Sequence, residues 1–130
     1  MIEIKRCEDI EIFEKFGIEK TPDTVVMTAK DGDLTFGIAV AVVQEENAYI
    51  TKIETQDEYK MFEMDFGLGK SILNLLDLSG VRFVFSDIDD KRLFTALRFS
   101  ENGEIPSDCS QCKKGRFFLC LDGYFSVHDC

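Results

Sequence analysis

Residues 64–71 read Met-Asp-Phe-Gly-Leu-Gly-Lys-Ser, "MDFGLGKS". Two glycines, a lysine and a serine ahead of an apolar helical pattern are the composition of a phosphate-holding turn. Three such turns compete for the stretch. A P-loop needs Gly-x-x-x-x-Gly-Lys-Ser/Thr; Gly69, Lys70 and Ser71 fit, but Met64 holds the place of the first glycine. A dinucleotide fingerprint needs Gly-x-Gly-x-x-Gly, and Ile72 holds the place of the third. Both motifs also belong after the first strand of a parallel sheet, and the segments upstream of Met64 read otherwise.

Those segments read as an antiparallel meander. "IEIK" alternates as a short strand, and "CEDIEIFEKFG" spaces Ile10, Phe13 and Phe16 as one helix closing at Gly17. "TVVMTAK", "DGD" and "LTFGIAVAVV" have the alternation and Asp-Gly punctuation of a hairpin. In its second arm Leu34, Phe36, Ile38, Val40 and Val42 share one face, with Thr35, Gly37, Ala39, Ala41 and Val43 on the other. After "QEEN", "AYITKIET" reads as a third strand.

From Gly67 the period changes to that of a helix. Leu68, Ile72, Leu75 and Leu76 form its apolar stripe, Lys70, Ser71, Asn74 and Asp77 lie opposite, and Ser79-Gly80 ends it. "VRFVFS" is a nearly continuous β-rich run, the mark of a strand covered on both faces. Asp89 or Asp90 then caps a helix carrying Leu93, Phe94 and Leu97 and closing at Asn102-Gly103, and "GRFFLCLDGYF" supplies a last strand or hairpin.

The resulting order, β-α-β-β-β-α-β-α-β with the glycines opening the second helix, resembles the GNAT acyltransferase fold from about Thr24 to Gly103. That family's loop reads Arg/Gln-x-x-Gly-x-Gly/Ala, and "MDFGLG" occupies it with Met64 at the Arg/Gln place. The resemblance implies an α/β (α+β) fold with a mixed, mostly antiparallel sheet and helices on both faces. It implies acetyl-CoA or coenzyme A as cosubstrate, its pyrophosphate held by Phe66, Gly67, Leu68, Gly69, Lys70 and Ser71 at a helix N-terminus. Ile53 to Thr55 pair the pantetheine arm through backbone groups, and Glu54, the choice among the neighbouring carboxylates Glu54, Asp57 and Glu58, serves as general base for an incoming amine.

The family's second helix often ends in Leu-Tyr-x-x-x-Gly-Phe, whose tyrosine protonates the departing thiolate. Aligning that glycine on Gly103 puts Phe99 at the tyrosine and Glu104 at the phenylalanine. Tyr124 then reads either as a core aromatic or as the missing acid. A second function, a GNAT-like fold kept as a binding or assembly module without turnover, predicts a groove filled by side chains such as Phe62 or Phe66. The plain alternative for the glycines is a turn that allows close packing.

Composition bounds both functions. The chain has 130 residues, 45% of them apolar, enough for one domain over residues 1–130 with a Cys-rich segment at 107–130. Twenty-five acidic against fifteen basic residues give a net charge of −10, which disfavours nucleic acid and anionic membrane as partners and favours a cationic small amine or peptide amine. No run approaches the roughly 18 apolar residues of a membrane span, and the charged start is unlike a secretory h-region, so a cytoplasmic protein is expected. A homodimer is compatible with the family. Cys109 and Cys112 have C-x-x-C spacing and could hold a metal with Cys120, His128 or Cys130, or act as a redox pair, or do neither. A metal-free chain is expected, because one such knuckle supplies two ligands of four.

Overall fold

The computed structural model describes residues 2–60, 63–101, 117–122 and 124, with the side chain of Lys60 excepted. Among them the elements are β1 (Ile2–Arg6), α1 (Ile10–Lys15), β2 (Thr24–Asp31), β3 (Leu34–Gln44), β4 (Asn47–Thr55), α2 (Asp57–Lys60), α3 (Met64–Leu78), β5 (Phe83–Ser86), α4 (Lys91–Ala96), β6 (Ser100–Glu101) and β7 (Phe117–Cys120). The sheet runs β1-β2-β3-β4-β5-β7-β6, and every neighbouring pair is antiparallel except β4 with β5. The α+β fold expected from the sequence, mostly antiparallel and covered on both faces, is therefore present.

One face packs on α3 and α4. Ala29, Ala39, Ala41, Ala48 and Ile50 of the sheet meet Leu68, Ile72, Leu73 and Leu76 of α3 and Leu93 and Phe94 of α4. The small side chains on β3 let a whole helix lie close to the strand. The opposite face carries Val26, Ile38 and Val40 under Phe13 of α1, with Ile12, Phe16 and Ile18 around them.

Two bulges change the expected facing. Register slips between Ala29/Lys30 of β2 and its partners leave Phe36 unpaired in β3. One extra residue reverses the alternation on one side of it. Phe36 accordingly joins the α3 face, away from Ile38 and Val40, and stacks on Tyr59 of α2 at 3.8 Å. The second slip, between Val40 and Ala41 of β3, leaves Thr51 unpaired in β4.

Three helices close on left-handed residues with the paired hydrogen bonds of a Schellman motif. Gly17 closes α1 and Gly80 closes α3, as glycine does at little steric cost (φ 68° and 90°). Arg98 closes α4 at φ 69°: Phe99 N–H donates to Phe94 O at 2.8 Å and Arg98 N–H to Thr95 O at 2.9 Å. The helix thus ends before the expected Asn102-Gly103, and the chain enters β6, a short strand not expected from the sequence. Arg98→Gly relieves the strain of a left-handed arginine and is expected to stabilise the fold by about 0.5–1 kcal/mol, seen as a raised Tm.

Candidate functional site

The bulge at Thr51 and the end of β5 together open the sheet. β4 and β5 pair only from Asn47↔Phe83 to Ile50↔Ser86. Beyond Ile50, β4 runs on to Thr55 with no strand on its β5 side among the described residues. Ser86, 2% exposed, marks the vertex: its hydroxyl donates to Ile50 O at 2.9 Å and accepts from Ile88 N–H at 3.2 Å. One side chain thus ties β4 to the last residue of β5 and starts the turn that carries the chain away.

The opening is a cleft of about 230 Å³ lined by Ile53, Glu54, Thr55, Asp65 and Asp90. The bulge sorts the β4 side chains between its two sides. Ile53 and Thr55 face α3; a Cβ on Gly37 would lie 3.0 Å from Thr55 Cγ2 and 2.8 Å from Leu68 Cδ1. Thr55 Oγ1 is buried and has no hydrogen-bond partner, an unused donor and acceptor in the wall. Lys52 and Glu54 face the α1 side, where Lys52 Nζ donates to Phe16 O at 3.2 Å and lies 3.8 Å from Glu54 Oε2. On that side a cavity of about 390 Å³ runs between the segment Gly17–Thr24 and Val40, Val42, Thr51 and Lys52. Asp57 and Glu58 are placed in α2 and do not line the cleft.

The glycine stretch is not a loop. Helix α3 starts at Met64, three residues before the expected Gly67, on Glu63 in the left-handed region (φ 55°). Gly67 N–H already donates to Glu63 O at 3.2 Å, and Leu68, Gly69, Lys70 and Ser71 follow in the helical ladder. A helix leaves without a ladder partner only the N–H groups of its N-cap and first turn, here Glu63, Met64, Asp65 and Phe66. The Phe66 N–H is taken at 2.8 Å by the Asp65 carboxylate, whose other oxygen accepts from Arg92 at 2.9 Å.

Gly69 has a packing role. A Cβ on Gly69 would stand 2.7 Å from Leu97 Cδ1 and 3.2 Å from its Cδ2, so glycine at this position lets α3 and α4 touch. Gly67 faces only the tip of Ile4 at 3.3 Å. Leu68 is fully buried in the core, Ser71 is half-buried, and Phe66 packs at the core margin. Phe62 lies outside the described residues.

Arg98 also resets the register of α4 against the family pattern. With the left-handed position at Arg98, Leu93-Phe94-Thr95-Ala96-Leu97-Arg98-Phe99 overlies Leu-Tyr-x-x-x-Gly-Phe. Phe94, rather than Phe99, then holds the tyrosine place, and Phe99, rather than Glu104, the phenylalanine place. Phe94 is fully buried, stacked on Phe117 at 4.9 Å and edge-on to Phe99 at 4.9 Å, and has no proton to give.

Tyr124 does not join the cleft lining. Its hydroxyl donates to Leu97 O at 2.8 Å and accepts from Lys70 Nζ at 3.4 Å, and Lys70 lies 4.6 Å over its ring. Burial raises its pKa above the usual tyrosine value, with Arg98 opposing, so it remains a neutral phenol at physiological pH. Cys120 is half-buried in β7, while Cys109, Cys112, His128 and Cys130 lie outside the described residues. Among the described residues no group of three or more His, Cys, Asp or Glu could hold a metal ion, and no helix is long and apolar enough to cross a membrane.

No family model and no curated protein matches the sequence. Solved structures do match the fold. It is similar to a ribosomal-protein-alanine N-acetyltransferase from Escherichia coli over 93% of this chain and 94% of that one, with a TM-score of 0.70 at 14% identity. An acetyltransferase of the GNAT family from Staphylococcus aureus is similar over 93% and 99%, with a TM-score of 0.59 at 12% identity. An aminoglycoside acetyltransferase from an uncultured soil metagenomic sample is similar over 73% and 82%, with a TM-score of 0.57 at 16% identity. The chain has a divergent form of the GNAT acetyltransferase fold.

Proposed function

We propose that this protein is an acyl-CoA-dependent N-acetyltransferase whose cosubstrate enters the cleft between β4 and β5. The observation that carries the reading is the edge of β4 from Thr51 to Thr55, free among the described residues and set open by the Thr51 bulge and the Ser86 vertex. An extended amide-bearing arm finds there the backbone groups that a neighbouring strand would otherwise use. Thr55 Oγ1 adds an unused hydroxyl in the same wall. Acyl-CoA, when bound, supplies the thioester whose acyl group passes to an amine.

The chain's own residues divide the remaining work by face. Ile53 and Thr55 hold the arm on the α3 side, and the first turn of α3 is assigned to the pyrophosphate in place of Gly67–Ser71. Glu54 is assigned the amine's proton on the α1 side, where the 390 Å³ cavity gives an acceptor room. The net charge of −10 favours a cationic amine on approach. Two of the similar structures are named for acetylating an alanine of a protein and for aminoglycosides, both amines. With phenylalanine at the tyrosine place, no side chain of α4 protonates the leaving sulfur, and water is left to do so.

A second reading, a binding module without turnover, draws on Phe94 and on the Asp65 carboxylate that takes the Phe66 N–H in the first turn of α3. Release of free thiol from acetyl-CoA across a panel of polyamines, aminoglycosides and peptide N-termini tests the two. Saturable, amine-dependent release supports the enzyme. Acetyl-CoA binding without release on any amine supports the module.

A further inference from the structure

We infer that Asp65 sets the ligand selectivity of the cleft by occupying two of the donors that a phosphate would use, an inference that rests on the acyl-CoA reading above. The Asp65 side chain is 15% exposed, far less than its partner Arg92 at 69%. Its two oxygens are both engaged, one by Phe66 N–H at 2.8 Å and one by the Arg92 guanidinium at 2.9 Å. The pair joins α3 to α4 along the wall of the cleft, because Asp65 lines the opening and Arg92 stands in the first turn of α4.

A backbone N–H and a guanidinium are the donors that bind phosphate oxygens most strongly. Here an internal carboxylate fills both. Asp90 adds a further negative charge to the same lining. A pyrophosphate must therefore displace Asp65 from Arg92 and approach like charge, whereas an acyl carrier without phosphates meets neither obstacle. Asp65 thus acts as a specificity residue: it weakens binding of the phosphate-bearing end and leaves the thioester arm unaffected.

Isothermal titration of wild type, Asp65→Ala and Asp65→Ala/Arg92→Ala with acetyl-CoA and with S-acetylpantetheine, which has no phosphate, tests this. Asp65→Ala is expected to bind acetyl-CoA about tenfold more tightly, with S-acetylpantetheine unchanged, because freeing one guanidinium and one N–H gives a coupling of ordinary size. The double variant is expected to lose the gain. Should Asp65→Ala not fold, Asp65→Asn keeps the acceptor for Phe66 N–H, drops the charge, and is expected to give about a threefold gain. Equal acetyl-CoA affinity in wild type and variant overturns the role of Asp65 while leaving the cleft reading intact. Equal tightening for both ligands also overturns it, since it would mark a general loosening of the cleft. If no form binds either ligand, the cleft reading fails, and this inference with it.

Discussion

Glu54→Gln is expected to lower amine-dependent thiol release about 10²–10⁴-fold at saturating substrates, the usual worth of a positioned proton acceptor. The amide is nearly isosteric, and the Glu54 side chain is 61% exposed, so folding should be unaffected. Acetyl-CoA affinity should also be unaffected, because Ile53 and Thr55 face the arm while Glu54 faces the α1 side. The loss should therefore appear in kcat with little change in KM for acetyl-CoA. A variant with wild-type turnover would remove Glu54 from the reaction and return it to the acidic surface.

Gly69→Val is expected to destabilise the fold by about 3 kcal/mol, at the upper end of core overpacking, whether or not any ligand is present. A Cβ there already falls 2.7 Å from Leu97 Cδ1, and Leu97 is fully buried, so neither side can yield freely. The double variant Gly69→Val/Leu97→Ala should be more stable than the sum of the two single changes by about 1 kcal/mol or more, as contacting residues couple. Gly67→Ala should be neutral or stabilising by up to about 1 kcal/mol, because alanine is the better helix former and only the flexible tip of Ile4 stands near. Chemical denaturation of wild type, these variants and Leu97→Ala separates packing glycines from ligand glycines: the latter would leave stability alone and change affinity at both positions.

These contrasts trace back to what the sequence could and could not convey. The meander, the helix after it and the buried β5 were legible because hydrophobic period alone reports them: β3 alternates cleanly at Ile38, Ala39, Val40 and Ala41, and Leu68, Ile72 and Leu76 recur at helical spacing. The bulges were not legible. A bulge is one residue too many for its partner strand, visible only once two strands are paired, so simple alternation puts Phe36 on the wrong face and gives no sign of Thr51.

Glycine is an ambiguous signal at two places. At Gly67 and Gly69 it suggests a loop where the chain is helical and only Gly69 makes a close approach, and at Gly103 it suggests a helix end that Arg98 supplies instead. The only local hint was the sequence Leu97-Arg98-Phe99 itself, whose apolar residues flank the left-handed position. Glu54, Ile53 and Thr55 were legible as the strand ahead of the motif and do line the cleft. Ser86, Asp65, Asp90 and Arg92 were missed, since an ordinary serine, two aspartates and an arginine acquire their roles from the place where β4 and β5 part.

Amide hydrogen exchange with and without acetyl-CoA tests the central claim most directly, because it reports on the backbone of β4 itself. The account predicts that peptides covering Thr51–Thr55 become slower to exchange on adding acetyl-CoA, as the free edge gains partners, while β1 and β2, remote from the cleft, are unchanged. Unchanged exchange at Thr51–Thr55 in folded protein at high micromolar acetyl-CoA would contradict it.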